Sequence, residues 1–312
     1  MVAPSVKTAA LFAAIIALFV VIGGLVGTYL FGSLLGGMVV ALGLALIFNL
    51  VSYFFCDRFV LWSSHAKVVT PEEAPRLAKI VDELAPQFGL VRPRIAIIPS
   101  TAPNAFATGR NPEHAVVAAT EGILRLCTDR ELRGVLAHEL AHVKDRDILL
   151  MTFAATVAGA ITYLSEMFLF SQLMGGSSNQ RGNNGIMAIV AIVTAPIAAM
   201  LLQLAISRSR ELKADEVGAM TIRDPESLAS ALEKLENATD QNPQRIGTPA
   251  TASLCIVNPL RGGSLLNLFS THPPLEVRIK RLRAMNPGYS YQIPVRAPSG
   301  GAVRAGRAGS LR

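Results

Sequence analysis

Residues 128–144 read TDRELRGVLAHELAHVK, and within them His138, Glu139, Leu140, Ala141 and His142 form the pattern HExxH. Thr128 followed three residues later by Glu131 is a capping box, so a helix is expected to start there. Leu132, Val135, Leu136, Leu140 and Val143 supply its apolar positions. Residues i and i+4 lie about 5–6 Å apart on one helix face, so both imidazoles can reach a single ion. Zinc takes imidazole nitrogens at roughly 2.0–2.1 Å, and a catalytic zinc site keeps one position open for water. Glu139, beside the pair, is placed to take a proton from that water and return it to a leaving amine. The bland alternative is a chance HExxH on a solvated helix. Two of only five histidines in the chain at this spacing weigh against it.

Working outward, the surroundings of this helix are strongly apolar. Of 312 residues, 51% are hydrophobic and 16% charged, with a mean hydropathy of +0.42. Ordinary soluble domains carry about 25% charged residues, so much of this apolar content is expected to meet lipid. Four runs approach the roughly 20 residues a bilayer requires: Thr8 to Phe31, Leu34 to Phe55, Ile148 to Met174 and Ile186 to Ile206. They pair as two hairpins. The sequence therefore predicts a mainly α integral membrane protein with four transmembrane helices. Residues 1–56 form the first hairpin and 148–206 the second, while 57–147 and 207–290 build one α+β catalytic domain, and 291–312 form a disordered basic tail.

The net charge of +7 accompanies no aromatic-studded basic motif, and nucleic acid is not an expected partner. The Lys and Arg residues flank the apolar runs instead. Two complete hairpins put the N-terminus, the active site and the C-terminus on one side, and the positive charge assigns that side to the cytoplasm. The first run is followed at once by a second and shows no cleavage pattern, so it reads as a span rather than a secretory signal. Gly23 and Gly27 form a GxxxG that would suit a helix-packing face, although the general abundance of glycine in membrane helices is the preferred account. Cys56, Cys127 and Cys255 are too scattered for disulfides or a zinc cluster and read as small buried hydrophobes.

In the first polar segment, Thr70, Pro71, Glu72 and Glu73 predict a helix with Pro at its first position, running to about Phe88. Short β-type runs follow at Arg94 to Ile98, Asn104 to Gly109 and His114 to Ala119, giving a small sheet. After the fourth run, helices are expected from Ser207 to Met220, from Asp224 to about Ala238, and after Pro274 to about Met285.

Two histidines leave a third zinc ligand to be found, and Glu211 stands out. Glu211 and Asp215 lie one helical turn apart, so Glu211 can bind the ion while Asp215 accepts the second N–H of a ligand histidine and fixes its tautomer. By itself this pair would read as a charged surface helix. Topology changes that, since an even number of spans returns Glu211 to the face that carries His142. His65 and His114 read as solvated. His272 and Arg278, on spacing alone, read as a helix cap and a basic last helix, with donation to an oxyanion as the alternative. Within the apolar runs, Glu166 and Gln203 read as interfacial rather than as an ion path.

With these motifs in hand, the chain resembles the HtpX-like heat-shock metalloproteases, relatives of the CAAX-processing Ste24 proteases in peptidase family M48. The resemblance rests on 137–142, on Ser209, Arg210 and Glu211 with Ala214 and Asp215, and on 269–276 with Arg278. It implies a zincin-like (gluzincin) domain holding one zinc ion per subunit on His138, His142 and Glu211, with Glu139 as base. It also implies that His272 and Arg278 neighbour the active site, and that Asn104, Ala105, Phe106 and Ala107 form a substrate-binding strand. Finally, it implies endopeptidase action on misfolded or damaged membrane proteins under stress, at the cytoplasmic membrane.

Overall fold

The computed structural model describes residues 6–153, 156, 208–241, 256 and 273–285. Helices α1 (Val6–Phe31) and α2 (Leu34–Ser63) form an antiparallel hairpin. The turn is closed by Ser33, whose Oγ accepts from Gly36 N–H at 3.0 Å. The GxxxG glycines turn out to be a packing face, against the composition-only reading. A Cβ on Gly27 would lie 2.4 Å from Gly37 Cα, and one on Gly23 would lie 2.0 Å from Ala41 Cβ. The two backbones can approach this closely only because these positions lack side-chain bulk.

Helix α2 is long and apolar enough to cross a membrane, and α1 contains a shorter apolar stretch, Phe12–Thr28. The α2 helix runs eight residues beyond the apolar run that ends at Phe55. The added turns carry Asp57, paired with Arg94 at 3.2 Å, and Val60 and Leu61, which are buried against the domain that follows. Of the second predicted hairpin, only its first helical residues, 148–153 and 156, fall within the described region. Glu166, Gln203, Cys255, His272 and the basic tail lie outside it.

Four strands, β1 (Lys67–Val69), β2 (Arg94–Ile98), β3 (Ala105–Thr108) and β4 (Val116–Thr120), form a sheet ordered β1-β2-β4-β3. Strand β2 runs parallel to β4, and the two outer pairings are antiparallel. Successive side chains of a strand point to opposite faces, so the sheet has two apolar sides. Ile95, Ala105, Ala107, Val117 and Ala119 face the core that contains α3 (Pro75–Leu84) and α5 (Asp129–Lys144). Ala96, Ile98, Phe106, Val116 and Ala118 pack on Val60, Leu61 and Met151, so the sheet lies against the ends of the apolar helices.

Helix α5 has the expected capping box, with Thr128 N–H donating to Glu131 Oε2 at 2.9 Å and Glu131 N–H to Thr128 Oγ1 at 3.3 Å. It is buried on nearly every side, between the sheet and the helices α6 (Arg208–Ile222) and α7 (Pro225–Gln241). Helix α8 (Leu275–Ala284) closes over α7 and α6. A Cβ on Gly218 would lie 3.1 Å from His138 N, so this glycine lets α6 press against the middle of α5.

The other box also forms: Thr70 N–H donates to Glu73 Oε2 at 2.8 Å. It closes a turn rather than opening a helix, because Pro75 has no N–H to give the carbonyl of Pro71. Helix α3 starts at Pro75 and ends at Leu84, with a 3-10 turn to Phe88. Strand β1 and the short helix α4 (Glu121–Leu126) were not anticipated. His114 belongs to the 3-10 turn before β4 rather than to the strand itself.

Candidate metal centre

His138 and His142 project from one face of α5, their rings 4.8 Å apart and perpendicular. Glu211, in the first turn of α6, meets both: Oε2 is 3.6 Å from His138 Nε2 and Oε1 is 3.4 Å from His142 Nε2. Candidate ligand atoms of the three residues lie within 4.8 Å of one another, and all three residues are buried. The separations suit groups arranged around a cation rather than bonded to each other. An imidazole pair with one carboxylate is a donor set zinc accepts, with a further position available.

The outer nitrogens are held from behind. His138 Nδ1 is 2.9 Å from Asp215 Oδ1. Asp215 in turn accepts two hydrogen bonds from Arg278, Nε to Oδ2 at 2.8 Å and Nη2 to Oδ1 at 2.7 Å. Arg278 is fully buried, and its Nη1 donates to the carbonyl of Ile256 at 3.1 Å. It is therefore no surface residue of a basic helix. Ile256 N–H donates to Asn104 Oδ1 at 3.2 Å, which links this network to the residue preceding β3.

Asp147 was not singled out in the sequence. It pairs with Arg210 at 3.2 Å, and its Oδ2 lies 3.8 Å from His142 Nδ1, a buried nitrogen without a hydrogen-bond partner among the described residues. The clue available was positional: Asp147 immediately precedes the third apolar run and Arg210 adjoins Glu211 after the fourth. The hairpin expected between them, which favours Glu211 as a ligand, would bring this pair together as well.

Glu139 points from α5 towards the sheet, where Ala107 N–H donates to its Oε2 at 2.9 Å. In β3, Asn104 O accepts from Thr120 N–H across the sheet, so alternation turns the polar backbone groups of Ala105 and Ala107 away from β4. The outer edge of β3 thus runs beside Glu139 and the histidine pair. Of the predicted substrate strand, Ala105, Phe106 and Ala107 lie in β3 and Asn104 just precedes it.

The electrostatics point to a cation. Burial pushes the Glu139 carboxyl above the usual carboxylate range, while His138 and His142 pull it back. Burial would lower both imidazoles, but Asp215 and Glu211 around His138, and Asp147 and Glu211 around His142, outweigh it and raise them. Asp215 is held down at about 2, the guanidinium of Arg278 overcoming the opposite effect of burial. Among the described buried residues, the carboxylates of Glu139, Glu211 and Asp215 face the single guanidinium of Arg278. With neutral imidazoles, that leaves two negative charges in a buried site, which a divalent ion would neutralise.

The model of peptidase family M48 matches residues 71–286, spanning strands β2 to β4, both histidines, Glu211 and α8. The chain belongs to peptidase family M48. It is 53% identical over 283 residues to the protease HtpX homolog of Syntrophobacter fumaroxidans, covering 89% of this chain and 98% of that relative. The protease HtpX homolog of Pyrococcus furiosus is 51% identical over 279 residues, covering 89% and 94%. Among solved structures, S. mikatae Ste24p aligns with a TM-score of 0.45 at 17% identity, over 89% of this chain and 64% of that one. An M48 chain with these relatives is a metalloprotease, and the cluster on α5 and α6 is where this one can hold its metal.

Proposed function

We propose that this M48 metalloprotease is a zinc endopeptidase embedded in the membrane, hydrolysing peptide bonds of unfolded or damaged membrane proteins from the cytoplasmic side. One observation carries the reading: a buried two-histidine, one-glutamate cluster lies beside a second carboxylate, Glu139, and the outer edge of β3, with which no other described strand pairs. Zinc held by His138, His142 and Glu211 would supply a Lewis acid that polarises a carbonyl and acidifies water. The remaining work falls to the protein's own groups. An extended peptide pairs with the outward backbone groups of Ala105 and the carbonyl of Ala107, which lays its scissile bond over α5. Glu139, steadied by Ala107 N–H, takes a proton from the attacking water and delivers it to the departing amine. Its raised affinity for protons suits both halves of that transfer, and a bound dication would moderate it. Asp215 holds the Nδ1 proton of His138 and so leaves Nε2, which faces Glu211, free to bind a metal, with Arg278 fixing Asp215. Arg278 thus acts as a positioning residue, and His272 is retained as a candidate donor to the oxyanion.

Membrane insertion is supported by α2, whose Val39, Val40, Leu44, Ile47 and Leu50 are all more than half exposed, an apolar face that lipid would cover. The four-span, cytoplasm-facing topology and the quality-control role extend this reading from the positive charge distribution and the HtpX-like relatives. The decisive experiment compares wild type with Glu139→Gln on an unfolded protein, measuring rate and zinc content together. Glu139→Gln should retain zinc and lose about 10²–10⁴-fold in rate. Cleavage by that variant at the wild-type rate would overturn the assignment.

A further inference from the structure

The substrate-binding edge lies very near the bilayer. Helix α2 is apolar to Phe55, and its first charged residues are Asp57 and Arg58. Phe106, in the middle of β3, packs with Val60 and Leu61, only five and six residues beyond Phe55. At 1.5 Å per helical residue that is about 8–9 Å past the apolar boundary, at the outer edge of one interfacial layer roughly 5–8 Å thick. The C-terminal end of β3 points further in. Thr108 Oγ1 is 3.0 Å from Thr152 Oγ1, in the helical residues that start the third apolar run. Next to Thr152, Phe153 meets Phe12 of α1 edge to face at 4.4 Å. Two residues after Thr108, Arg110 lies over the ring of Phe54, 5.5 Å from its centroid, on the bilayer side of Asp57. The face of β3 that carries Phe106 and Thr108 therefore rests on the ends of the apolar helices, opposite the face packed on α5. Ala107, which bonds Glu139, is one residue from that end.

From this placement, and resting on the membrane-peptidase reading above, we infer that the enzyme cuts its substrates at headgroup depth. Its substrates are polypeptides anchored in the same bilayer, and the first bond broken lies within about three to five extended residues of the last membrane-embedded residue. Strand β3 acts as a ruler fixed to the membrane by Thr152, Phe54 and the α2 end. Cleavage position is thus set mainly by distance from the bilayer, and side-chain preference is secondary.

The test uses the full-length zinc-loaded enzyme reconstituted in vesicles with a single-span protein. Its cytoplasmic tail is a disordered stretch of about 25 residues made of one repeated polar sequence, so that every position offers the same side chains. Initial cuts are mapped by mass spectrometry. A soluble zinc endopeptidase serves as the control that the tail is equally open throughout. Initial cuts should concentrate next to the span, with about a fivefold or greater excess over the distal repeats. Even cutting along the tail, or an excess at its far end, overturns the inference while leaving the enzyme a peptidase. Failure to cut both this substrate and a soluble unfolded protein removes the peptidase reading and the ruler with it.

Discussion

Asp215 occupies the middle of a chain of contacts from Arg278 to His138, with each of its oxygens engaged at 2.7–2.9 Å. Replacing it with Asn keeps the shape, removes the charge that Arg278 requires, and permits the wrong orientation of the imidazole. Zinc affinity of Asp215→Asn should fall about 10–100-fold, measured by competition with a chelator of known affinity. An unchanged affinity would mean that Asp215 serves α8 packing alone. These residues are legible in the sequence where the chemistry is local. Histidines at i and i+4 share a helix face whatever surrounds them, and Glu211 stands out by its one-turn spacing from Asp215, with an even number of expected spans to return it to the face of His142. Arg278 did not declare its role, because a buried guanidinium and a solvated one look alike within 278–283, where Lys280, Arg281 and Arg283 are also basic. Its partner is 63 residues away. Asp147 was overlooked because it sits outside the helix and outside any motif.

At the level of elements, Glu131 does more than cap α5. Besides Thr128, its carboxylate accepts from Ser230 Oγ at 2.7 Å and Lys234 Nζ at 2.8 Å, both on α7. Burial works against the charged form, but these donors win and hold its pKa at about 2, down from 4.5. A lowered folded-state pKa contributes stability above the unfolded value, and that stability drains away as pH falls from about 4.5 through about 2. Glu131→Gln should cost about 2 kcal/mol near neutrality. Thermal unfolding of the two proteins followed across pH should show this gap closing below pH 4.5, and a gap independent of pH would exclude the carboxylate as its source. The two capping boxes also show where element-level reading works. The box at Thr128 opens a helix because no proline follows, whereas the box at Thr70 is cut off by Pro75. Strand β1 is three residues long and half-exposed, too short for alternation to stand out. The Gly23–Gly27 face needed its partner residues Gly37 and Ala41, which only the folded hairpin brings opposite.

In the whole molecule, the metal centre is the seam between two halves of the chain. The histidines come before the second predicted hairpin and Glu211 after it, so an ion there joins α5 to α6 across a long intervening segment. Ligands that bind only the folded state stabilise it, by about 4 kcal/mol when free zinc is 1,000 times its dissociation constant. Chelation should therefore lower the melting temperature by on the order of 10 °C, recovered on adding zinc back, and Glu139→Gln should behave likewise. A melting temperature insensitive to chelation would show that α5 and α6 are held together without the ion. The dependence on α8 has a further consequence for the order of events during synthesis. His138 and Arg278 are 140 residues apart, so a ribosome emits both histidines, and later Glu211, well before the guanidinium that anchors Asp215. A growing chain that already carries every candidate ligand still lacks a fixed imidazole. Proteolytic competence thus arrives late in translation, after every candidate metal ligand has already been made.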